Sequence, residues 1–321
     1  MSSSSSAFNF FIPMDEKEEE LALSTVGYTR SRLAEDLTLL RAWIAQQPHF
    51  PPSSQTESDE FLSNFLVGCK GSIERCKKKL DGYYTWRRRS TIFADRHPNS
   101  PGLLAVCKGV NFVMMPKCLP TGYRLLILRL KTSQYFDLTY GIRLVLLFFE
   151  KRIRFGGLTA GDTAVVDCSD CNASYLPSLN PSVIRDFMTF FQDSLATRCS
   201  NHFIINCPPI AETILNKMVR PWMSKKMSER IVVTREGNQF LLEKFPKDVL
   251  PSDYGGDAPS LDDLQEKMLQ SSRELANYGD GEFFSRLSEL TDESKRPKDS
   301  PIAVSESLFG VQGTIKSLTI D

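Results

Sequence analysis

Four short apolar runs, 123–130, 163–167, 202–206 and 230–234, are separated by stretches of helical periodicity, and this alternation constrains the fold more than any other feature. Consecutive strands joined by long connections cannot pair as hairpins. They pair in parallel through crossover helices, which cover the sheet and explain why the runs are apolar throughout instead of alternating. The intervening helices are expected at about 136–154, 181–196 and 211–223. The fold class that follows is α/β, with a mainly parallel sheet.

Before Pro101 the texture is helical. Within 35–46, Leu37, Leu40, Trp43 and Ile44 recur at three- and four-residue spacing, which puts them on one helix face. A proline-serine loop at 48–54 ends that helix. Two more are expected at 59–68, with Phe61, Leu62, Phe65 and Leu66 on one stripe, and at 72–89, with Ile73, Cys76, Leu80 and Tyr84 on another. The chain therefore divides into a flexible start (1–14), a helical domain (15–95), an α/β domain (96–256) and a C-terminal part (257–321). The last part holds one helix at 261–278 and a polar, acidic tail whose end is expected to be mobile.

Several classes of function are disfavoured. Lys plus Arg and Asp plus Glu both number 39, so no overall field draws the chain to nucleic acid. The longest strongly apolar run, Leu144 to Phe149, is far short of the roughly 20 residues that span a bilayer. The opening serine run lacks a cationic start and a signal-peptide core, so a cytoplasmic location is expected. The eight cysteines are scattered and read as reduced thiols. Cys168 and Cys171 form a CxxC without a second ligand pair, so neither a metal nor a redox centre is expected there.

The sequence has no nucleophile elbow, phosphate loop, dinucleotide fingerprint or zinc helix motif. Of the three histidines, His49 and His97 sit beside prolines, and His202 opens an apolar run. Asp167 ends a strand, where a carboxylate commonly caps the next turn. No catalytic residue, metal or cofactor is expected. A thiol-dependent transferase using Cys168 or Cys171 is the weakest reading.

Three features ask for another explanation. Large apolar residues crowd the crossover helices: Tyr140, Leu144, Leu147 and Phe148, then Phe187, Phe190 and Phe191. In 211–223, Ile214, Leu215, Met218, Val219, Trp222 and Met223 form a stripe suited to a lid or a membrane contact. Local positive charge gathers at Lys77 to Lys79, Arg87 to Arg89, Lys217, Arg220, Lys225, Lys226 and Arg230. Core packing and solvated helix faces explain these patterns about as well as a ligand cavity and an anion site do.

A family resemblance favours the cavity. The chain resembles the CRAL-TRIO (Sec14-like) lipid-binding proteins, in particular the branch with α-tocopherol transfer protein and cellular retinaldehyde-binding protein, over about residues 30–270. The resemblance rests on Asp36-Leu37 to Leu40-Arg41-Ala42-Trp43-Ile44, Phe61-Leu62 with Phe65-Leu66, Glu74-Arg75 to Leu80-Asp81 and Tyr83-Tyr84. In the α/β part it rests on Ala164-Val165-Val166-Asp167, Ile204-Ile205-Asn206-Cys207-Pro208, Pro221-Trp222-Met223-Ser224-Lys225-Lys226 with Glu229-Arg230-Ile231, and Leu250-Pro251-Ser252-Asp253-Tyr254-Gly255-Gly256.

The resemblance implies an apolar cavity between sheet and helices, closed by a mobile gate at 210–223. Phe187, Phe190, Leu195, Thr197, Cys199 and His202 would line it, and Leu215, Val219 and Met223 would face the ligand from the gate. It also implies a phosphoinositide head-group cleft at Arg198, Lys226 and Arg230. Val67 and Cys69 stand where that cleft would have arginines, leaving Lys70 as the nearest substitute. The implied function is a monomeric, non-enzymatic carrier of one tocopherol-, retinoid- or other isoprenoid-like molecule, touching anionic membranes transiently. The alternative is a lipid-sensing adaptor whose tail recruits a partner.

Overall fold

The computed structural model describes residues 10–298 and 300. Four helices open the chain: α1 (Glu16–Thr25), α2 (Arg30–Ala45), α3 (Asp59–Gly68) and α4 (Ile73–Arg89). Side chains satisfy the orphan amides at their starts, with Asp15 and Glu18 forming a reciprocal capping box on α1 and Thr29, Ser58 and Ser72 capping the next three. Their apolar faces meet at Leu40, Ile44, Phe61, Phe65, Leu80, Tyr83 and Tyr84, all buried.

The α/β part continues as α5 (Pro101–Gly109), β1 (Val110–Met114), β2 (Tyr123–Leu130), α6 (Leu138–Phe155), β3 (Gly161–Asp167), α7 (Pro181–Asp193), β4 (Cys199–Ile205), α8 (Pro209–Ile214), α9 (Lys225–Ser228), β5 (Ile231–Val233) and α10 (Asn238–Lys244). Helices α11 (Leu261–Asn277) and α12 (Glu282–Ser288) follow. The five strands lie in the order β1-β2-β3-β4-β5; β1 is antiparallel to β2, and every other pair is parallel. Ala164, His202 and Ile231 stand side by side across β3, β4 and β5.

Each sheet face has its own cover. On one side Phe203 packs against Phe240 and Phe245, at 5.5 and 5.8 Å between ring centroids. Helix α11 covers the β1 edge, where Gln265 Oε1 accepts from Phe112 N at 2.7 Å. On the other side α6 packs on β1, with Phe148 and Phe149 beside Phe112, and a gap opens between α6, α7 and the rest of the sheet.

A buried ionic cluster fixes the helical part to α6. Glu150 accepts from Arg154 at 2.7 Å and Arg96 at 3.2 Å and lies 3.5 Å from Arg87, while Tyr83 donates to it as well.

Parts of both terminal segments pack against the rest of the protein, and residues 1–9 of the expected flexible start lie outside the described residues. Within the start read as flexible, Phe11 is buried under the Arg124 guanidinium, 4.6 Å from its ring centre, and Ile12 N donates to Pro116 O. The C-terminal part read as helix plus mobile tail folds back on the helical domain as far as Ser300. Arg87 donates to Arg286 O, Arg88 to Thr291 O and Arg296 to Asp81, the last at 2.6 Å. Arginines gripping backbone carbonyls leave no compositional trace, which is why the anchoring was invisible in sequence. The remainder of the expected mobile tail, 301–321, lies outside the described residues. Among the described residues no helix is long and apolar enough to cross a membrane.

Candidate ligand chamber and basic cleft

The gap between the sheet, α6 and α7 is a chamber of about 390 Å³. Its floor is the strand face carrying Leu126, Leu128, Ala164, Val166, His202, Ile204 and Ile231. Helix α6 contributes Leu138, Ile142, Val145 and Phe149, and α7 contributes Ile184, Phe187, Met188 and Phe191, each set at three- and four-residue spacing. Residues 168–175 close one end with Cys168, Cys171 and Tyr175.

The fourth wall is the segment expected as one helix at 211–223. It is three short pieces: α8, a π-helical turn over Leu215–Val219 and a 3-10 turn over Arg220–Trp222. Pro221 cannot donate a helical hydrogen bond, so the regular ladder cannot run through it. Leu215, Val219 and Met223 line the chamber, while Trp222 is 41% exposed on the outer side. Wide turns and broken ladders of this kind suit a segment that moves.

Of the residues singled out from sequence, the structure brings Phe187, Phe191, Cys199, His202, Leu215, Val219 and Met223 into the chamber wall. Seven others lie elsewhere, one of them, Thr197, in the neighbouring cleft. Leu144, Leu147 and Phe148 sit on the opposite side of α6 from Val145 and Phe149 and pack fully into the core. Phe190 turns toward the helical domain, edge-on to Phe93 at 4.8 Å. Leu195 is buried beside α4, its carbonyl accepting from Lys79 Nζ at 2.7 Å. Tyr140 donates to Asp95 at 2.8 Å from outside the chamber.

Beside the chamber is a cleft of about 210 Å³ lined by Lys70, Arg75, Lys79, Arg198, Lys226 and Arg230. Thr197, expected in the cavity, lies here instead and donates to the Asp162 carboxylate. The cations come from three places in the chain. Gly68 lets the end of α3 press against Ala196 O, where any side chain would collide, and so sets Lys70 near Arg198. Lys70 takes a left-handed backbone with φ of 54°. Arg230 donates to Cys199 O, which holds it at the β4 edge.

No carboxylate pairs with Lys70, Arg198, Lys226 or Arg230 among the described residues. Their mutual repulsion shows at Lys70, whose ammonium is held below its ordinary range chiefly by Arg198, with smaller effects from burial, Lys226 and Arg230. Guanidinium and ammonium groups so placed could each offer a charge-assisted hydrogen bond to an anion. Val67 and Cys69 are buried away from it. In sequence, Lys79 belongs to the positive cluster at 77–79 but is not among the expected head-group residues, and Arg75 is not singled out for its charge; the two lie one α4 turn apart in the cleft.

Chamber and cleft share a wall of Phe191, Cys199, His202 and Met227. Burial, and secondarily Arg230, push His202 down to about 4, so the imidazole is neutral at physiological pH. Burial also pushes the Cys168 thiol well above its usual range, aided by Cys171 and Cys207. Such a thiol is a poor nucleophile. Among the described residues no group of three or more His, Cys, Asp or Glu side chains is placed to hold a metal ion.

The α/β domain thus presents an apolar chamber with a segmented wall beside a cationic cleft. Residues 111–256 match the family described as CRAL/TRIO domain, and residues 29–103 match the one described as Pinta-like, UBA domain. The α/β part of the chain, residues 111–256, is thus a CRAL-TRIO domain by its match to that family. The chain is 25% identical over 231 residues to the Mus musculus protein named Alpha-tocopherol transfer protein-like, covering 71% of this chain and 66% of that protein. It is 24% identical over 209 residues to Clavesin-2 of Rattus norvegicus, covering 64% of this chain and 63% of that one. The chain thus spans just under two thirds of the length of these relatives, at 66% and 63%. The solved structure described as "Crystal structure of Sfh5" superposes with a TM-score of 0.43 and 12% identity, over 82% of this chain and 87% of that one.

Proposed function

We propose that this protein carries one small hydrophobic molecule, tocopherol-, retinoid- or otherwise isoprenoid-like, in the gated chamber and exchanges it at membranes, without chemistry of its own. The observation that carries the reading is the pairing of an apolar chamber of about 390 Å³ with a cleft of unpaired cations across one shared wall. Filling the chamber removes ligand CH₂ groups from water at about 0.8 kcal/mol each, which favours retention. Release therefore needs an opening, and the broken segment 209–222 is the part of the wall built for it.

The cleft supports the membrane half of the proposal. Lys70, Arg198, Lys226 and Arg230 would meet a phosphoinositide head group in the cytoplasmic leaflet, each cation near such a surface contributing about 1 kcal/mol. The exposed Trp222 and Lys217 would dip into the same interface. The protein would act in the cytoplasm as a monomer.

Native mass spectrometry of the full chain purified from eukaryotic cells, followed by organic extraction, tests the reading directly. A single stoichiometric lipid is the expected result. A chain that emerges empty and takes up no isoprenoid from vesicles is not a carrier.

A further inference from the structure

Two side-chain polar atoms in the chamber wall are buried without a hydrogen-bond partner among the described residues: Tyr175 Oη and His202 Nε2. They mark opposite ends. His202 stands beside Ala164 in the sheet register and borders the basic cleft. Cys168 follows Ala164 by four residues along the same strand line, a separation of about 13 Å at about 3.3 Å per residue, and Tyr175 lies in the turn beyond it.

Tyr175 is the more telling of the two. It is 2% exposed, and its ring packs edge-on against Phe136 at 5.0 Å, so the phenol is held in place with its hydroxyl unmatched. Buried hydroxyls are almost always paired, because leaving one unpaired costs about 1–3 kcal/mol. Burial, with Asp170 and Cys171 near by, pushes the phenol up to about 12, so it stays a donor. The titratable groups that act on the phenol are Asp170 and Cys171, and Arg129, which pairs with Asp170 at 3.9 Å, is already engaged with Asp167 and Asp253 as well, at 3.8 and 3.4 Å. An anion would find no counter-charge at this end.

We propose that Tyr175 is the specificity anchor of the chamber: cargo enters with a neutral oxygen leading, a hydroxyl or carbonyl, which hydrogen-bonds Tyr175 Oη while its apolar body extends back toward His202. The inference deepens the carrier reading and rests on it. The class selected is lipid alcohols, aldehydes and ketones; hydrocarbons leave the phenol unpaired, and carboxylates bring a charge to an end that cannot hold it.

The test uses the delipidated full chain and two matched sets of ligands, farnesol, farnesene and farnesoic acid, and hexadecanol, hexadecane and hexadecanoate, in competition with a fluorescent lipid. The wild type is expected to bind the alcohol of a set more tightly than the acid. Tyr175→Phe, which keeps the ring contact with Phe136, is expected to weaken the alcohol about three- to tenfold while leaving the hydrocarbon unchanged or slightly tighter. Equal effects on alcohol and hydrocarbon, or acids bound as tightly as alcohols, overturn the anchor. So does a loss that appears in His202→Leu but not in Tyr175→Phe, because the cargo would then lie the other way round. Binding of none of the six ligands by the wild type removes the carrier reading, and the anchor with it.

Discussion

The side-chain amide of Gln192 bridges the backbone on either side of the Trp222–Met223 step: Nε2 donates to Trp222 O at 2.8 Å, and Oε1 accepts from Ser224 N at 2.7 Å. One residue at the end of α7 thereby latches the segmented wall of the chamber. Each bond contributes about 1 kcal/mol net. Gln192→Ala is accordingly expected to raise the rate of lipid transfer to acceptor vesicles roughly tenfold, with little change in the melting temperature. A transfer rate equal to that of the wild type shows that the wall opens elsewhere.

In the basic cleft, Lys226 is exposed and makes no ion pair among the described residues, so removing it leaves the fold alone. Lys226→Ala is expected to weaken binding to vesicles containing phosphatidylinositol bisphosphate about fivefold and to leave binding to neutral vesicles unchanged. Raising the salt should shrink the difference, because exposed charges are screened beyond about 10 Å at 0.1 M. Sedimentation with the two vesicle types measures it. Equal binding by variant and wild type assigns the cleft no membrane role.

How much of this was legible depends on where the signal sat. Helix α3 starts and stops where the sequence places it, because Ser58 caps it and Phe61, Phe65 and Leu66 mark its buried face. The parallel strands were visible as apolar runs, but β1 was not, since it leaves α5 directly with no turn between Gly109 and Val110. Helix α6 misled by one residue. It is apolar on two sides, with Leu144, Leu147 and Phe148 facing solid core and Ile142, Val145 and Phe149 facing the chamber. Periodicity shows that a face is apolar and cannot tell packed space from empty space. The cations of the cleft converge from the turn after α3, from α4, from the residue before β4, from α9 and from the residue before β5, a proximity only the fold supplies. The polar anchor at Tyr175 had no sequence signal, because being unpaired is a property of its surroundings.

The Glu150 cluster joins the helical part to α6, and its ionisation sets acid stability. Burial works to raise the Glu150 carboxyl, but Arg87, Arg154 and Arg96 overcome it and hold the group down to about 2. A carboxyl depressed on folding contributes stability that is complete above its unfolded value, about 4.3, and is lost as pH falls through the folded value. Glu150→Gln leaves the buried Arg87 and Arg96 guanidinium groups without their carboxylate, while Arg154 keeps Glu57 at 2.8 Å, and is expected to cost about 3–5 kcal/mol at pH 7. Its penalty should shrink between pH 4.5 and 2, where the wild type loses the same charge. Urea titrations of both proteins at pH 7 and pH 3 check the two values; a penalty independent of pH contradicts the assignment.

Lys151 has its pH dependence on the alkaline side, where the buried charge is a cost to the fold instead of a gain. It lies on α6, fully buried, with Nζ donating to Ser271 Oγ at 2.5 Å and Met268 O at 3.4 Å, and with the Phe10 ring centre 5.9 Å away. Burial pushes the ammonium down to about 7, with Glu274 opposing weakly. Below pH 7 both folded and unfolded chains hold the proton, so the full cost of the buried charge is present. Between about 7 and 10.4 the unfolded chain binds the proton and the folded chain does not, so stability rises with pH across that window. Lys151→Met supplies a side chain of similar length without the charge. The variant is expected to melt above the wild type at pH 6, with the gap closing steadily toward pH 10. A gap of constant size over that range means that Lys151 keeps its proton in the folded protein.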